Sequence, residues 1–307
     1  GLLNQTEYDE IKQTINYEVS EAADKAINSA DPHTGEAEKY VFDESGFKET
    51  LNYESSSPSG NKIVMVDAIN HALHEEMEKN PEMFIFGEDI EDGKGGVFTA
   101  TKGLSTRFTK KRVFNSPLAE ASIMGVAVGM SLAGMKPVVE IQFGDYIWPA
   151  FQQMKNEMAP MRYRSNNAWS APVLTRVAVG GYIHGGLCHS QNIEAFFSHI
   201  PGIFIAYPSN AADAKGLLKT ACRIKDPVLF LEHKGLYRQS FAITPEPDDN
   251  YLLPFGKAKV VKEGTDITVV SWGVSLWDSM IAAKKLEAED YSVEVVDLRT
   301  IVPLDEE

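Results

Sequence analysis

After about residue 60, short apolar runs alternate with segments whose apolar residues follow helical spacing. The strand-like runs are residues 83–86, 112–114, 137–143, 173–179, 203–207 and 228–231, and the helical segments include 66–77, 120–135, 146–164 and 211–224. This alternation predicts an α/β fold with a mostly parallel, doubly wound sheet. In such sheets, ligands bind beyond the carboxyl ends of the strands.

Both ends of the chain differ from this central part. Residues 1–60 hold 13 acidic residues against 4 lysines, and they predict a helix over 7–27 and a serine-rich flexible linker over 55–60. Strands at 257–261, 267–271 and 293–298, with one helix between the last two, indicate a second α/β unit that has no closing element before Glu307. We therefore predict an acidic arm and linker (1–60), a first α/β domain (61–250) and a truncated C-terminal α/β domain (251–307).

Composition narrows the range of partners. The 307 residues carry a net charge of -15, which argues against a nucleic acid or an anionic membrane as partner. No apolar run approaches the length of a membrane span, and no signal peptide is visible. Two cysteines form no disulfide framework, so we expect a reducing, cytoplasmic setting.

Several polar residues follow the predicted strands. Glu120 opens a helix, where the helix N-terminus stabilises a carboxylate, although acids are common in first turns without any function. Gln142 lies at the end of the strand predicted at 137–143, and Tyr146 follows that strand. His189 lies in a loop with four nearby glycines, which is typical of a backbone that approaches a ligand closely.

Three stretches together resemble the β subunit of the 2-oxo acid dehydrogenases, the thiamine-dependent decarboxylating component of those complexes. They are Ser-Pro-Leu-Ala-Glu (116–120), Glu-Ile-Gln-Phe-Gly-Asp-Tyr (140–146) and His-Gly-Gly-Leu-Cys-His-Ser-Gln (184–191). Residues 146–151 and 193–199 resemble the branched-chain, 2-oxoisovalerate type more than the pyruvate dehydrogenase type, which remains an alternative. A non-catalytic assembly module on the same fold is the second alternative.

The resemblance implies a transketolase-like pyrimidine-binding domain that uses thiamine diphosphate. Within it, Glu120 hydrogen-bonds a ring nitrogen of the cofactor's aminopyrimidine, and Leu118 lines the pyrimidine site. Gln142 hydrogen-bonds near the same ring, and Tyr146 covers its face. His189 contacts the carboxylate of the 2-oxo acid and assists transfer of the acyl group.

The resemblance also implies partners. The family's Gly-Asp-Gly magnesium signature is absent from this sequence, so magnesium and the diphosphate are expected on an α subunit. Residues 1–60 match either the tail of a fused α subunit or an ordinary acidic linker. The acyl acceptor is a dihydrolipoyl acyltransferase, and the β part self-associates. We expect this chain alone to be inactive.

Three other chemistries fit the sequence less well. Cys188 beside His189 has no identifiable orienting partner for a thiol nucleophile. The histidines, including His71 and His74, match no strong zinc spacing. The glycine-rich residues 93–96 lack both common phosphate-loop patterns, so we predict an ordinary loop and no metal site in this chain.

Overall fold

The computed structural model describes residues 1–43 and 58–307, which form two units, Gly1–Lys39 and Tyr40–Glu307. The predicted linker serines at 55–57 lie outside the described residues. Across both units the helices are α1 (Gln5–Ile27), α2 (Met65–Lys79), α3 (Leu104–Phe108), α4 (Glu120–Leu132), α5 (Trp148–Gln152), α6 (Met161–Arg164), α7 (Glu194–Phe197), α8 (Ala211–Arg223) and α9 (Val274–Glu287). The strands are β1 (Lys62–Ile63), β2 (Met83–Gly87), β3 (Val113–Asn115), β4 (Lys136–Ile141), β5 (Leu174–Val179), β6 (Phe204–Ala206), β7 (Val228–His233), β8 (Thr244–Pro245), β9 (Lys259–Lys262), β10 (Ile267–Ser271), β11 (Val293–Asp297) and β12 (Thr300–Val302).

The first unit is built on α1, which confirms the predicted helix at the N-terminus. A capping box begins it: the Asn4 side chain accepts a hydrogen bond from the Glu7 N–H at 3.0 Å, and the Glu7 carboxylate accepts one from the Asn4 N–H at 2.9 Å. No residue of α1 is buried. Its capping hydrogen bonds therefore define its start without support from a packed face.

The second unit contains a seven-stranded sheet in the order β12-β6-β7-β5-β4-β2-β3. Six strands are parallel, and β12 runs antiparallel against β6. Because successive side chains point to opposite faces, Val138 packs with α2 and α8 on one face while Val139 packs with α4 and α5 on the other. The predicted doubly wound α/β fold is confirmed.

The predicted single helix over 146–164 is wrong in detail. The segment is a 3-10 turn (Gly144–Tyr146), then α5, a π-helical turn (Gln153–Met158) and α6. Pro149 sits in the first turn of α5, as predicted. Pro160 immediately precedes α6, and it has no N–H with which to continue the helical hydrogen bonds.

The C-terminal residues form a three-stranded sheet in the order β10-β11-β9, with β10 parallel and β9 antiparallel to β11. Leu276 and Ala283 of α9 pack on Val293 and Val295 of β11. The chain then leaves this sheet, and β12 joins the large sheet beside β6. None of the helices in residues 1–43 and 58–307 combines the length and apolarity that crossing a bilayer requires.

Candidate active site at the carboxyl edge of the sheet

The parallel strands bring their carboxyl ends to one edge of the large sheet. Polar residues follow five neighbouring strands there. They are Glu88 and Asp89 after β2, Ser116 and Glu120 after β3, Gln142 to Tyr146 after β4, the loop of residues 180–191 after β5, and Lys234 after β7. Glu120, Gln142, Tyr146 and His189 therefore all lie at the edge where the sequence predicted them.

Glu120 begins α4 and is half-buried beside Glu88. Burial raises the pKa of the Glu88 carboxyl, and the neighbouring carboxylates of Glu120 and Asp89 raise it further. Glu88 Oε1 and the Ser116 hydroxyl are buried without a hydrogen-bond partner among the described residues. Because buried polar atoms are normally hydrogen-bonded, this corner is suited to a polar ligand.

Gln142 lies near the turn after β2 that also carries Glu88. Its amide nitrogen lies 3.3 Å from Asp89 Oδ2, and the Lys94 ammonium lies 3.0 Å from the same oxygen. Asp89 has a positive φ of 58°, a strained backbone conformation for a residue with a side chain. The turn after β2 thus presents two adjacent carboxylates: Glu88 lies near Glu120, and Asp89 contacts Gln142.

Tyr146 and His189 form a second group. The phenol oxygen of Tyr146 lies 2.8 Å from His189 Nε2, which is hydrogen-bonding distance. Phe143 packs edge-on against both rings, with centroids 5.5 Å from Tyr146 and 4.5 Å from His189. No hydrogen bond within residues 1–43 and 58–307 joins this group directly to Glu120 or Gln142.

The loop that carries His189 is tied at its base. The Gly180 N–H donates to the carbonyl oxygen of Gln191 at 2.9 Å, and the Gln191 N–H donates to Asp145 Oδ2 at 3.2 Å. Gly180 has a φ of +78°, and a Cβ there would overlap the His233 ring. A glycine is therefore required where the loop leaves β5, as its sequence indicated.

Leu118 is placed differently from the other predicted site residues. It follows β3, the edge strand of the sheet, and its side chain is 82% exposed. The structure leaves Leu118 on the surface of this chain rather than inside a pocket.

The glycine-rich residues 93–96 pack against protein atoms. A Cβ at Gly96 would lie 2.7 Å from Thr101 Oγ1 and 3.1 Å from Glu140 Oε2, and the next N–H, of Val97, donates to Glu140 Oε1 at 2.8 Å. This loop is therefore anchored to the sheet through Glu140. No three His, Cys, Asp or Glu side chains of the described residues converge as a metal site would need.

A buried charge network lies beneath the edge, and no sequence pattern pointed to it. Arg176 of β5 is 1% exposed and donates to Glu140 at 2.8 Å and to both oxygens of Glu232 at 2.7 and 2.9 Å. The Tyr237 hydroxyl donates to Glu232 at 2.7 Å. Burial raises the pKa of Glu140, and the Arg176 guanidinium opposes that rise. The network links three central strands directly below the candidate site.

Sequence reasoning missed Glu88, Ser116 and Lys234 as edge residues. A simple signal was available, because each lies within three residues after the end of a predicted strand. The rule that ligands bind beyond the carboxyl ends of parallel strands, with which the position of Gln142 agrees, would also have drawn attention to them.

Comparison with known proteins agrees with this architecture. Residues 61–240 match the family model of the transketolase pyrimidine-binding domain, and residues 256–307 match that of the transketolase C-terminal domain. The fold is similar to the split-gene transketolase solved as an inactive beta4 tetramer, with a TM-score of 0.63, 26% identity, and coverage of 79% of this chain and 73% of that one.

Sequence identity is higher with two dehydrogenase subunits. The chain is 51% identical over 243 residues to the 2-oxoisovalerate dehydrogenase subunit beta of Bacillus subtilis, covering 79% of this chain and 73% of the relative. It is 45% identical over 245 residues to the pyruvate dehydrogenase E1 component subunit beta of Acholeplasma laidlawii, covering 80% and 74%. The expected family is confirmed: the chain belongs to the β subunits of the 2-oxo acid dehydrogenases, a family of thiamine diphosphate-dependent enzymes that act with an α subunit.

Proposed function

We propose that this chain is the β part of a 2-oxo acid dehydrogenase of the 2-oxoisovalerate type. With an α partner, it would decarboxylate a branched-chain 2-oxo acid and pass the acyl group to the lipoyl group of a dihydrolipoyl acyltransferase. One comparison carries the substrate choice. The identity to the 2-oxoisovalerate dehydrogenase β subunit of Bacillus subtilis is 51% over 243 residues, against 43% over 244 residues for the pyruvate dehydrogenase β subunit of the same organism.

The carboxyl edge supports a role in holding thiamine diphosphate. The cofactor supplies the carbon nucleophile and the electron sink for decarboxylation. Glu120 would hydrogen-bond a ring nitrogen of its pyrimidine, and the unpaired buried atoms of Glu88 and Ser116 in the described chain offer further polar contacts at that corner. Gln142 would contact the same ring. The α partner would bind magnesium and the diphosphate.

The other group at the edge suits the substrate. His189, oriented by its hydrogen bond to Tyr146, would hold the carboxylate of the 2-oxo acid and then carry a proton during acyl transfer. Tyr146 would also cover the face of the pyrimidine.

A substrate panel tests the proposal. The full-length protein with its α partner would be assayed on 2-oxoisovalerate, other branched-chain 2-oxo acids and pyruvate, with a lipoylated acceptor. We expect kcat/KM to favour the branched acids by about tenfold or more, since one or two methylene groups in an apolar pocket contribute about that discrimination. A preference for pyruvate would assign the chain to the alternative family type. No turnover, with no cofactor binding, would favour an assembly module.

A further inference from the structure

Lys234 is a buried cation that the proposed chemistry does not use. It follows β7 directly, its side chain is 1% exposed, and its Nζ has no hydrogen-bond partner within residues 1–43 and 58–307. Burial lowers the pKa of its ammonium to about 8, and the Asp145 carboxylate counteracts that effect. A buried charge of this kind is costly unless a neighbouring charge or ring compensates it.

Asp145 is the matching anion. Its Oδ1 is buried and has no partner in the described parts of the chain, while its Oδ2 accepts the Gln191 N–H at 3.2 Å. In the sheet, β5 lies between β7 and β4. Lys234 after β7 and Asp145 after β4 therefore flank the end of β5, where Gly180 begins the loop that carries His189.

Phe143 provides a second connection. The Lys234 ammonium lies 5.4 Å from the centre of the Phe143 ring, a distance at which a cation is attracted to the ring face. The same ring packs at 87° to His189, with centroids 4.5 Å apart. Lys234 thus acts on both the base of the loop, through Asp145, and the histidine itself, through Phe143.

We propose that Lys234 is a positioning residue for His189: its ammonium, together with Asp145 and Phe143, holds residues 180–191 in the conformation that brings His189 to Tyr146. The importance of this positioning for catalysis rests on the proposed function. The positioning itself does not.

Hydrogen–deuterium exchange tests this on the full-length protein with its α partner. In Lys234→Met we expect the amides of residues 180–191 to exchange about tenfold faster. The reason is that the Asp145 carboxylate, with its buried Oδ1, loses the neighbouring ammonium. Lys136→Met is the matched control. Lys136 is also buried, and burial lowers the pKa of its ammonium to about 8. It lies at the amino end of β4, away from the carboxyl edge, and donates to the Ile224 carbonyl at 2.8 Å. It should leave the loop unchanged.

Two further variants keep the test decisive if Lys234→Met folds poorly. Asp145→Asn should loosen the same amides, and the double variant should be no worse than either single change, since both remove one interaction. Lys234→Arg, which keeps the positive charge, should keep the loop protected. Unchanged loop exchange in Lys234→Met or Asp145→Asn, or equal loosening in Lys136→Met, would overturn the proposal.

Activity provides a separate outcome. Lys234→Met should slow acyl transfer while leaving thiamine diphosphate affinity unchanged. If the loop loosens as expected but the unmodified enzyme turns over no 2-oxo acid, the proposed function fails and the positioning role stands. If turnover is normal and the loop is insensitive to Lys234, the reverse holds.

Discussion

The phenol oxygen of Tyr146 and Nε2 of His189 lie 2.8 Å apart. Tyr146 follows strand β4 and His189 lies in the loop after strand β5, so this contact joins two neighbouring strand ends. It orients a histidine that otherwise sits in a glycine-rich loop.

Replacing Tyr146 by phenylalanine should keep the aromatic packing and remove the hydrogen bond. We expect acyl transfer to the lipoylated acceptor to slow about 5- to 10-fold, since a hydrogen bond of this kind contributes about 1 kcal/mol. Single-turnover kinetics would measure it. Tyr163→Phe, at an exposed tyrosine, is the control. Equal rates in both variants would show that the contact has no role in His189 chemistry.

Glu120→Gln should abolish most decarboxylation while the protein stays folded. Loss of a group that moves a proton typically lowers the rate by about 10²- to 10⁴-fold. Steady-state rates and circular dichroism together would separate chemistry from folding. Glu157→Gln, at an exposed glutamate of the π-helical turn, should be silent. Near-normal turnover in Glu120→Gln would remove Glu120 from the site.

Gly180→Ala should destabilise the protein. The alanine would have to adopt a φ of +78°, and its Cβ would collide with the His233 ring. We expect a loss of about 1–3 kcal/mol in the free energy of unfolding, measured by urea denaturation. At the adjacent Gly181, a Cβ would meet no non-neighbouring atom of the described residues within 4 Å, so Gly181→Ala should be near neutral. Similar stabilities for the two variants would contradict the close approach at Gly180.

Arg176→Met should be the most damaging change in the sheet. It leaves the carboxylates of Glu140 and Glu232 buried without their cation, which typically costs about 3–5 kcal/mol. Arg164→Met removes an exposed ion pair to Glu157 and should cost less than about 1 kcal/mol. Chemical denaturation of both variants gives the comparison. A mild effect of Arg176→Met would mean that the network relaxes or that a carboxyl group takes up a proton.

Asp297→Asn should change how stability depends on pH. Asp297 is fully buried, and its Oδ2 is unpaired within the described chain. Burial, and then the nearby Asp213 carboxylate, raises its pKa from 3.8 to about 7. The protonated form is favoured in the folded state, so this contribution to stability is full below about pH 4 and is lost as the pH rises through about 7.

Urea denaturation at pH 5 and pH 8 would test this. The difference in unfolding free energy between the two pH values should be smaller in Asp297→Asn than in the unmodified protein. Glu289→Gln, on the surface, should leave that difference unchanged. An identical pH dependence in all three proteins would show that Asp297 does not titrate in this range.

The sequence predicted the large elements because their signals are local. Strands in the interior of a parallel sheet are rich in apolar residues, and each of the six parallel strands of the large sheet coincides with a short, mainly apolar run in the sequence. β1, β8 and β12 were missed, since two or three residues carry no periodic pattern and their pairing depends on distant partners. The interrupted helix over 146–164 was missed because apolar spacing does not register a π-helical turn.

The site was predictable as an edge but not as a set of contacts. Glu120, Gln142, Tyr146 and His189 lie at one edge because parallel strands end together. Sequence alone could not say that Gln142 meets Asp89, or that Tyr146 meets His189, since those distances depend on loop conformation. It could not place Leu118 on the surface either, because the position of β3 at the end of the sheet is a property of the whole topology.

The path of β12 ties the C-terminal three-stranded sheet to the large sheet. Thr300 and Val302 pair with Ala206 and Ile205 of the large sheet, only a few residues after the chain leaves β11. Only Leu298 and Arg299 lie between β11 and β12, so the link from one sheet to the other has little slack. Moving the three-stranded sheet away from the large sheet would therefore break the pairing of β12 with β6.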